Sequence, residues 1–297
     1  MYINPHTLHK NIKKNIINAN IFVLTSGRFL KLPKPISQYN KLIENCDPGI
    51  IDKICDVTVV NEHSIDAIDS LRNTLPNFNP VIINLVGSDF NGSSSQMTSM
   101  TGIRDENIML RTTFCMSIPI RITLNPYPIK NPDCIYTTNI LVIRPPKPDT
   151  IYEPKNIFKI SLISTSPINK PILSADNEMN STDLITTCSI IECIFQSAIG
   201  HKHNILVLPP FGHNIDDNPI SDIILIYNNY IMKYSHKFDK IIIAIPPWYP
   251  PEIFKLYNDN IIKPQQIAFD IDSTYDSTKL KDIISNSNKQ VVNNTNS

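Results

Sequence analysis

Six short runs of aliphatic, largely β-branched residues are spread along this chain, with helix-period segments between several of them. That alternation restricts the fold more than any other feature. The runs are CDVTVV (55–60), PVIINLV (80–86), NILVIRP (139–145), IFKISLIS (157–164), NILVLPP (204–210) and KIIIAIPP (240–247). Each is close to continuously apolar, the pattern of a strand buried on both faces. Between them, NEHSIDAIDSLRN (61–73) places Ile65, Ile68 and Leu71 on one helical stripe. TDLITTCSIIECIFQSAIG (182–200) predicts a helix capped by Thr182 and stopped at Gly200. NPISDIILIYNNYIMKYSH (218–236) predicts another, capped by Asn218 with Pro219 in its first turn. Strands apolar on both faces need helices on both faces. The expected class is therefore α/β, with helices covering a largely parallel or mixed sheet.

The first fifty residues read differently. HTLHKNIKKNIINAN is a short helix candidate and KLPKPISQ a loop, so 1–50 is expected to be an accessory N-terminal layer on a single domain spanning 1–285, with 51–285 as its core. The polar, low-complexity end, SNSNKQVVNNTNS, predicts a disordered tail over 286–297. With 297 residues, 41% of them hydrophobic and 18% charged, the chain is long and apolar enough for a sizeable core. Basic and acidic side chains balance at 27 each. A zero net charge offers no footprint for a long duplex, so tight duplex DNA binding is not expected. The six cysteines, Cys46, Cys55, Cys115, Cys134, Cys188 and Cys193, include no C-x-x-C pair. The start has no apolar core of signal-peptide length, and no stretch reaches the apolar length of a membrane span. Reduced thiols in a cytoplasmic or nuclear protein, neither secreted nor membrane-bound, are expected.

Glycine is scarce, at seven residues, so its placement carries weight. VGSDFNGSSSQMTSMTGIRDE (86–106) holds Gly87, Gly92 and Gly102, and PPFGHNIDDNP (209–219) holds Gly212. Both stretches follow expected strands, at the edge where open α/β sheets bind ligands. Glycine suits positive φ or close approach of the backbone to a ligand. Asn214 also tolerates positive φ. Such loops are either ordinary turns or, with a helix N-terminus behind them, a site for an anion and phosphate above all. Neither G-x-x-x-x-G-K-[ST] nor G-x-G-x-x-G occurs, which argues against P-loop and Rossmann sites. His201, His203 and His213 have no carboxylate or cysteine at ligand spacing, so neither a metal nor a cofactor is expected. Cys188 and Cys193 lie on one predicted helix as core candidates. Trp248, in PPWYPP, either anchors an exit loop or packs on a ligand.

The order and spacing of these motifs resemble the microbial-type poly(ADP-ribose) glycohydrolases, a branch of the macro-domain fold. Their pattern runs from an L-N-F-A strand end through P-G-G-G to A-Q-E-E-x-L-x-R-x-[ST]. In INLVGSDFNGSSSQMTSMTGIRDENIMLRTT (83–113), Asn84 matches the strand-end asparagine, Gly92, Ser93 and Ser94 take the triple-glycine positions, and Arg104, Asp105 and Glu106 take Q-E-E. Arg111 and Thr112 match R-x-[ST] with the arginine displaced by one position. The family's second loop, L-V-L-G-A-[FW]-G-C-G-x-[FW]-x-N-x-P in outline, is similar to LVLPPFGHNIDDNP (206–219), with Phe211, Gly212, Asn218 and Pro219 retained. VTVVNEHSIDAIDSLRN resembles the family's entry helix, and the likeness spans about residues 15–250.

The resemblance implies a three-layer α/β/α macro-domain-like fold with a mixed central sheet and an N-terminal helical extension. It implies that the two loops wrap the diphosphate and distal ribose of ADP-ribose, with Asn84, Gly92, Ser93, Ser94, Phe211, Gly212, His213 and Asn214 as ligand-binding residues. Glu106 falls at the acid that protonates the departing ribose oxygen, and Asp105 at the carboxylate that holds a ribose hydroxyl. The implied activity is a glycosidase: hydrolysis of the ribose–ribose bond of poly(ADP-ribose), or removal of ADP-ribose from proteins, through an oxocarbenium-like transition state. The partners would be ADP-ribose, its polymer or ADP-ribosylated proteins. The departures from the pattern support alternatives. Serine replaces glycine at 93 and 94, and Pro209 and Pro210 replace Gly-Ala, removing N–H donors. An inactive ADP-ribose reader, or a structural or interaction protein keeping only the fold, fits these changes. The expectation taken forward is that Asn84, Gly92, Asp105, Glu106, Phe211 and Gly212 line one cleft at the carboxyl ends of adjacent central strands.

Overall fold

A computed structural model of the protein describes residues 14–20, 35–43, 47, 49, 53–75, 77–93, 96, 104–117, 127–146 and 150–264. Cys46, Ser94, Gly102 and the tail over 286–297 lie outside these residues. Seven strands form one mixed sheet: β1 (Ile36–Asn40), β2 (Asp56–Val60), β3 (Pro80–Leu85), β4 (Cys134–Val142), β5 (Phe158–Thr165), β6 (Ile205–Leu208) and β7 (Lys240–Ala244). Their spatial order is β1-β4-β5-β3-β6-β7-β2. The five strands from β5 to β2 run parallel, while β4 is antiparallel to β5 and to β1.

Alternation along the central strands assigns successive side chains to opposite layers. Ile83, Leu206 and Ile241 face one core, with Ile191, Ile194, Ile223 and Tyr227 from helices α4 (Ser181–Gly200) and α5 (Ile220–Tyr234) and Tyr257 from α6 (Pro251–Asn260). Ile82, Val207 and Ile242 face the other, with Ile65 and Ile68 from α2 (Ser64–Asp69), Ile108 and Leu110 from α3 (Glu106–Arg111), and Ile17 from α1 over 14–20. This is why the strands read as continuous apolar runs: both faces are covered. Each fully buried isoleucine contributes about 1.5–3 kcal/mol from water exclusion, so the two layers together are the main favourable term.

Local details correct the sequence reading in four places. The segment KLPKPISQ, read as loop, contains the start of β1, an edge strand whose side chains are almost all exposed and which therefore carries no apolar pattern. The N-cap of α4 is Asn180, not Thr182: its side chain accepts a hydrogen bond from Asp183 N at 2.9 Å. The residue preceding α5 is Pro219, and Asn218 gives its side chain to the neighbouring loop instead of capping the helix. Finally, α4 has the length and apolar composition to cross a bilayer, contrary to the expectation that no segment would, but here its apolar side lies on the sheet.

Candidate functional site

The carboxyl ends of β3, β6, β7 and β2, neighbours in the sheet, point the same way, and the chain that leaves them encloses a cavity of about 70 Å³. Ile83 and Leu85 of β3 form its base, Pro209 and Pro210 follow β6, and Pro246 follows β7. Ser64, the first residue of α2, closes one side, and Trp248 and Tyr249 form an aromatic wall. This edge is where open α/β sheets hold ligands.

From the loop after β3, Arg104 and Asp105 reach the cavity. The Arg104 amide donates to Leu85 O at 3.0 Å, which fixes the residue above the end of β3. Its guanidinium makes a two-point ion pair with Asp216 of the second loop, Nε to Oδ2 at 3.1 Å and Nη2 to Oδ1 at 2.7 Å. Gly87 leaves room for it: a Cβ there would stand 3.0 Å from Arg104 Nη2 and 2.5 Å from Asp89 Oδ1. Asp105 caps α3, its Oδ1 accepting from Asn107 N at 3.0 Å. The Asn107 amide group meets His63 Nδ1 at 2.9 Å, and the His63 ring lies 4.3 Å from that of Trp248, so α3, α2 and the aromatic wall are braced together. Glu106, half-buried, begins α3 beside Asp105 but is not among the side chains that line the cavity.

The second loop, after β6, contributes Gly212, His213, Asn214, Ile215 and Asp216. Gly212 has φ +62°, and a Cβ there would stand 2.6 Å from Asn218 Cγ. Asn218 organises the loop by donating to Ile168 O at 2.7 Å and Asp216 O at 2.9 Å. Asn214 adopts φ 78° and Asp217 φ 54°, left-handed positions that Asn and Asp accept more readily than other side chains. The His213 ring lies 5.7 Å from that of Tyr249. Burial holds the His213 imidazole below the usual histidine range, outweighing Asn218 and Asp217, so it is neutral at pH 7. Burial, then the carboxylates of Asp105 and Asp216, push the Tyr249 phenol up to about 12. The aromatic side of the cavity therefore faces negative charge.

Of the six residues expected on one cleft, Asp105 and Gly212 line the cavity, joined by the ligand-binding candidates His213 and Asn214, while Asn84, Gly92, Glu106 and Phe211 are not among its lining residues. Asn84 is wholly buried on the opposite face of β3 from Ile83 and Leu85, donating to Ser164 Oγ at 2.9 Å. A one-residue step along a strand reverses the face. Phe211, also wholly buried, belongs to the core beneath the second loop with Leu208, Ile223 and Tyr227. Gly92 and Ser93 lie in the first loop and are not among the residues that line the cavity, Gly92 at φ 68°. Two of its described amides bond within the loop: Asn91 N donates to Gln96 Oε1 at 2.7 Å and Ser93 N to Asn91 Oδ1 at 2.9 Å. Sequence reasoning gave no weight to Asp216 or Tyr249 and placed Arg104 only by alignment with Q-E-E. The HNIDDNP acids were the one available signal for Asp216.

His201 and His203 sit at the start of β6, at the opposite end of the strand from His213. His203 Nδ1 lies 3.0 Å from Asn79 O, and its Nε2 lies 3.0 Å from the Tyr136 hydroxyl. A larger, shallow groove of about 1050 Å³ lies outside the second loop, between α5 and α6, and shares His213 and Asn214 with the cavity. Its walls carry Leu173, Ile220, Ile224, Leu225 and Leu256 and no lysine or arginine, a poor lining for a polyanion.

No family model matches the sequence, and none of the curated proteins matches it. Solved structures of bacterial poly(ADP-ribose) glycohydrolases do match the fold. The enzyme from Thermomonospora curvata is 12% identical, covering 84% of this chain and 100% of its own, with a TM-score of 0.64. Its complex with the inhibitor ADP-HPD gives 12% identity, 83% and 98% coverage and a TM-score of 0.61. The Deinococcus radiodurans enzyme in complex with ADP-ribose is 11% identical, with 87% and 92% coverage and a TM-score of 0.55. The chain thus has the α/β fold of these structures, macro-domain-like, with a mixed central sheet. At this identity the likeness is one of fold.

Proposed function

We propose that this protein binds an ADP-ribose-type nucleotide at the carboxyl edge of its sheet and hydrolyses a glycosidic bond of that ligand. The observation that carries the reading is the convergence of the loops after β3 and β6 on one cavity with three kinds of wall. Trp248 and Tyr249 offer aromatic faces for a base, Asp105 a carboxylate for ribose hydroxyls, and Arg104 a cation for phosphate. The Deinococcus radiodurans structure that shares this fold is a complex with ADP-ribose. A cavity of about 70 Å³ is smaller than the ~300–1,000 Å³ of a typical ligand site, so the cavity must widen to admit a whole nucleotide.

For the chemistry, Glu106 is the proton donor. It gives its proton to the oxygen leaving the anomeric carbon as that C–O bond breaks. Water adds to the same carbon and returns a proton to the carboxylate, so the acid is regenerated. Poly(ADP-ribose) and ADP-ribosylated proteins are the two substrate classes.

A second reading, binding without cleavage, has its own support: Asp105 is engaged as a helix cap, and Glu106 does not line the cavity. Titration calorimetry with ADP-ribose, paired with release of ADP-ribose from the polymer, tests both. Binding with release supports the hydrolase, binding alone supports the reader, and absence of binding removes both.

A further inference from the structure

Resting on the nucleotide reading, we propose that Arg104 is the anion-binding residue of this cleft, and that Asp216 is the residue that positions it. Two described amides of the loop expected to hold phosphate through its backbone are already engaged. Asn91 N and Ser93 N are spent on side chains of the same loop, Pro209 and Pro210 have no N–H, and His213 N is directed to Pro210 O at 3.3 Å. The neutral His213 ring brings no positive charge either. Among the described residues, Arg104 is the only cation that lines the cavity.

The geometry of the ion pair makes it a ligand rather than a plain structural bridge. Asp216 takes the Nε/Nη2 edge of the guanidinium. A guanidinium has five N–H donors, and two go to this carboxylate. The second edge, Nη1 with the other Nη2 hydrogen, has no partner among the described residues. The pair is also asymmetric in exposure: the Asp216 side chain is 2% exposed and that of Arg104 18%. The carboxylate is sealed behind the guanidinium, whose outer edge reaches the cleft. Binding a phosphate there requires no exchange of partners, so Asp216 keeps its counter-ion. Arginine is suited to this double engagement because its planar fork serves two oxyanions on two edges; a lysine ammonium is a single point charge. Gly87 completes the arrangement, since a side chain at that position would crowd the guanidinium.

The test is calorimetry of the whole chain with ADP-ribose, inorganic pyrophosphate and adenosine as probes. Arg104→Gln leaves Asp216 without a counter-ion, so the double variant Arg104→Gln/Asp216→Asn, which removes both charges together, is the principal one, with folding checked by its melting temperature. The expected result is a loss of at least about tenfold in affinity for ADP-ribose and pyrophosphate, with adenosine changed less than about twofold. Arg104→Lys should fail to restore pyrophosphate binding, because its single ammonium is taken by Asp216. Asp216→Asn alone, with the charge kept but the fork unfixed, should give an intermediate loss confined to the anionic probes. Unchanged ADP-ribose affinity in the double variant overturns the role of Arg104 and leaves the nucleotide reading standing. Arg104-dependent pyrophosphate binding without ADP-ribose or adenosine binding sinks the nucleotide reading and keeps the anion site. If wild type binds neither pyrophosphate nor ADP-ribose, both are overturned.

Discussion

Arg111, with none of its side chain exposed, is balanced by Asp66, whose Oδ1 lies 2.8 Å from its Nη2. The contact joins α3, which carries Asp105 and Glu106 at its start, to α2, which closes one side of the cavity. Among the described residues the only hydrogen bond from the guanidinium is the 3.3 Å one from Nε to Arg144 O, so the charge depends on Asp66. Asp66→Asn should lower stability by about 3 kcal/mol, toward the low end of the range for orphaning a buried charge because Asp66 is one-fifth exposed. Asp66→Asn with Arg111→Met should recover most of that loss. Urea denaturation of the three variants checks this, and an unchanged midpoint for Asp66→Asn would show that the guanidinium is solvated by another route.

A pH dependence follows from His203. A carbonyl accepts only, so His203 Nδ1–H donates to Asn79 O, and Nε2 accepts from the Tyr136 hydroxyl. Burial, then the neighbouring His201 and Lys159, push its pKa down to about 4, against a partly offsetting bond to Asn79. The unfolded chain, with a histidine near 6.5, binds the proton more readily. Between about pH 6.5 and 4 the unfolded state therefore holds more protons, and stability falls as pH falls. The window is worth about 3 kcal/mol in all. His203→Gln should narrow its stability gap to wild type by that amount between pH 7 and pH 4. Parallel stability curves for the two proteins would refute the assignment.

Two glycines separate conformational need from mere presence. At Gly212, φ is +62° and a Cβ would press on the Asn218 amide at 2.6–2.7 Å. Gly212→Ala should cost about 1–3 kcal/mol and loosen the second loop. At Gly200, the last residue of α4, a Cβ meets nothing within 4 Å, so Gly200→Ala should raise stability by about 0.5 kcal/mol. A melting temperature of Gly212→Ala at or above that of wild type would mean that the loop tolerates the strain.

The central strands β3, β5, β6 and β7 were legible because burial on both faces leaves continuous apolar runs; the run at 139–145 caught only the second half of β4, and β2 is apolar in sequence although only partly buried. β1 was not legible, because an exposed edge strand carries no such run and its partner, β4, lies about a hundred residues on. Asp105, Gly212, His213 and Asn214 share one cavity because loops after strands collect at one edge. Asn84 was placed on the wrong side because alternation sets the face while a motif sets only the position. Phe211 looked like a ligand contact because nothing local shows that the chain turns it under its own loop. The Arg104–Asp216 pair is 112 residues apart in sequence, so no local pattern joins its two members.

The last prediction separates hydrolase from reader. Glu106→Gln keeps side-chain volume and can still bond sugar oxygens, but an amide is a poor proton donor. If Glu106 is the general acid, release of ADP-ribose from the polymer should fall by ~10²–10⁴-fold, with ADP-ribose affinity kept within a few-fold. Asp105 needs a different substitution, because it also caps α3. Asp105→Ala would remove the cap, at about 1 kcal/mol, along with the ligand contact. Asp105→Asn keeps the cap and removes only the charge, so a drop in ADP-ribose affinity with an unchanged melting temperature reports a lost ribose hydroxyl contact. Turnover is measured as ADP-ribose released from the polymer, affinity by calorimetry on the same preparations. Wild type that binds and releases, with Glu106→Gln that binds and does not, supports the hydrolase. Equal release by both proteins would remove Glu106 from the chemistry. Binding by both with release by neither would make the carboxylate a remnant beside a working nucleotide site.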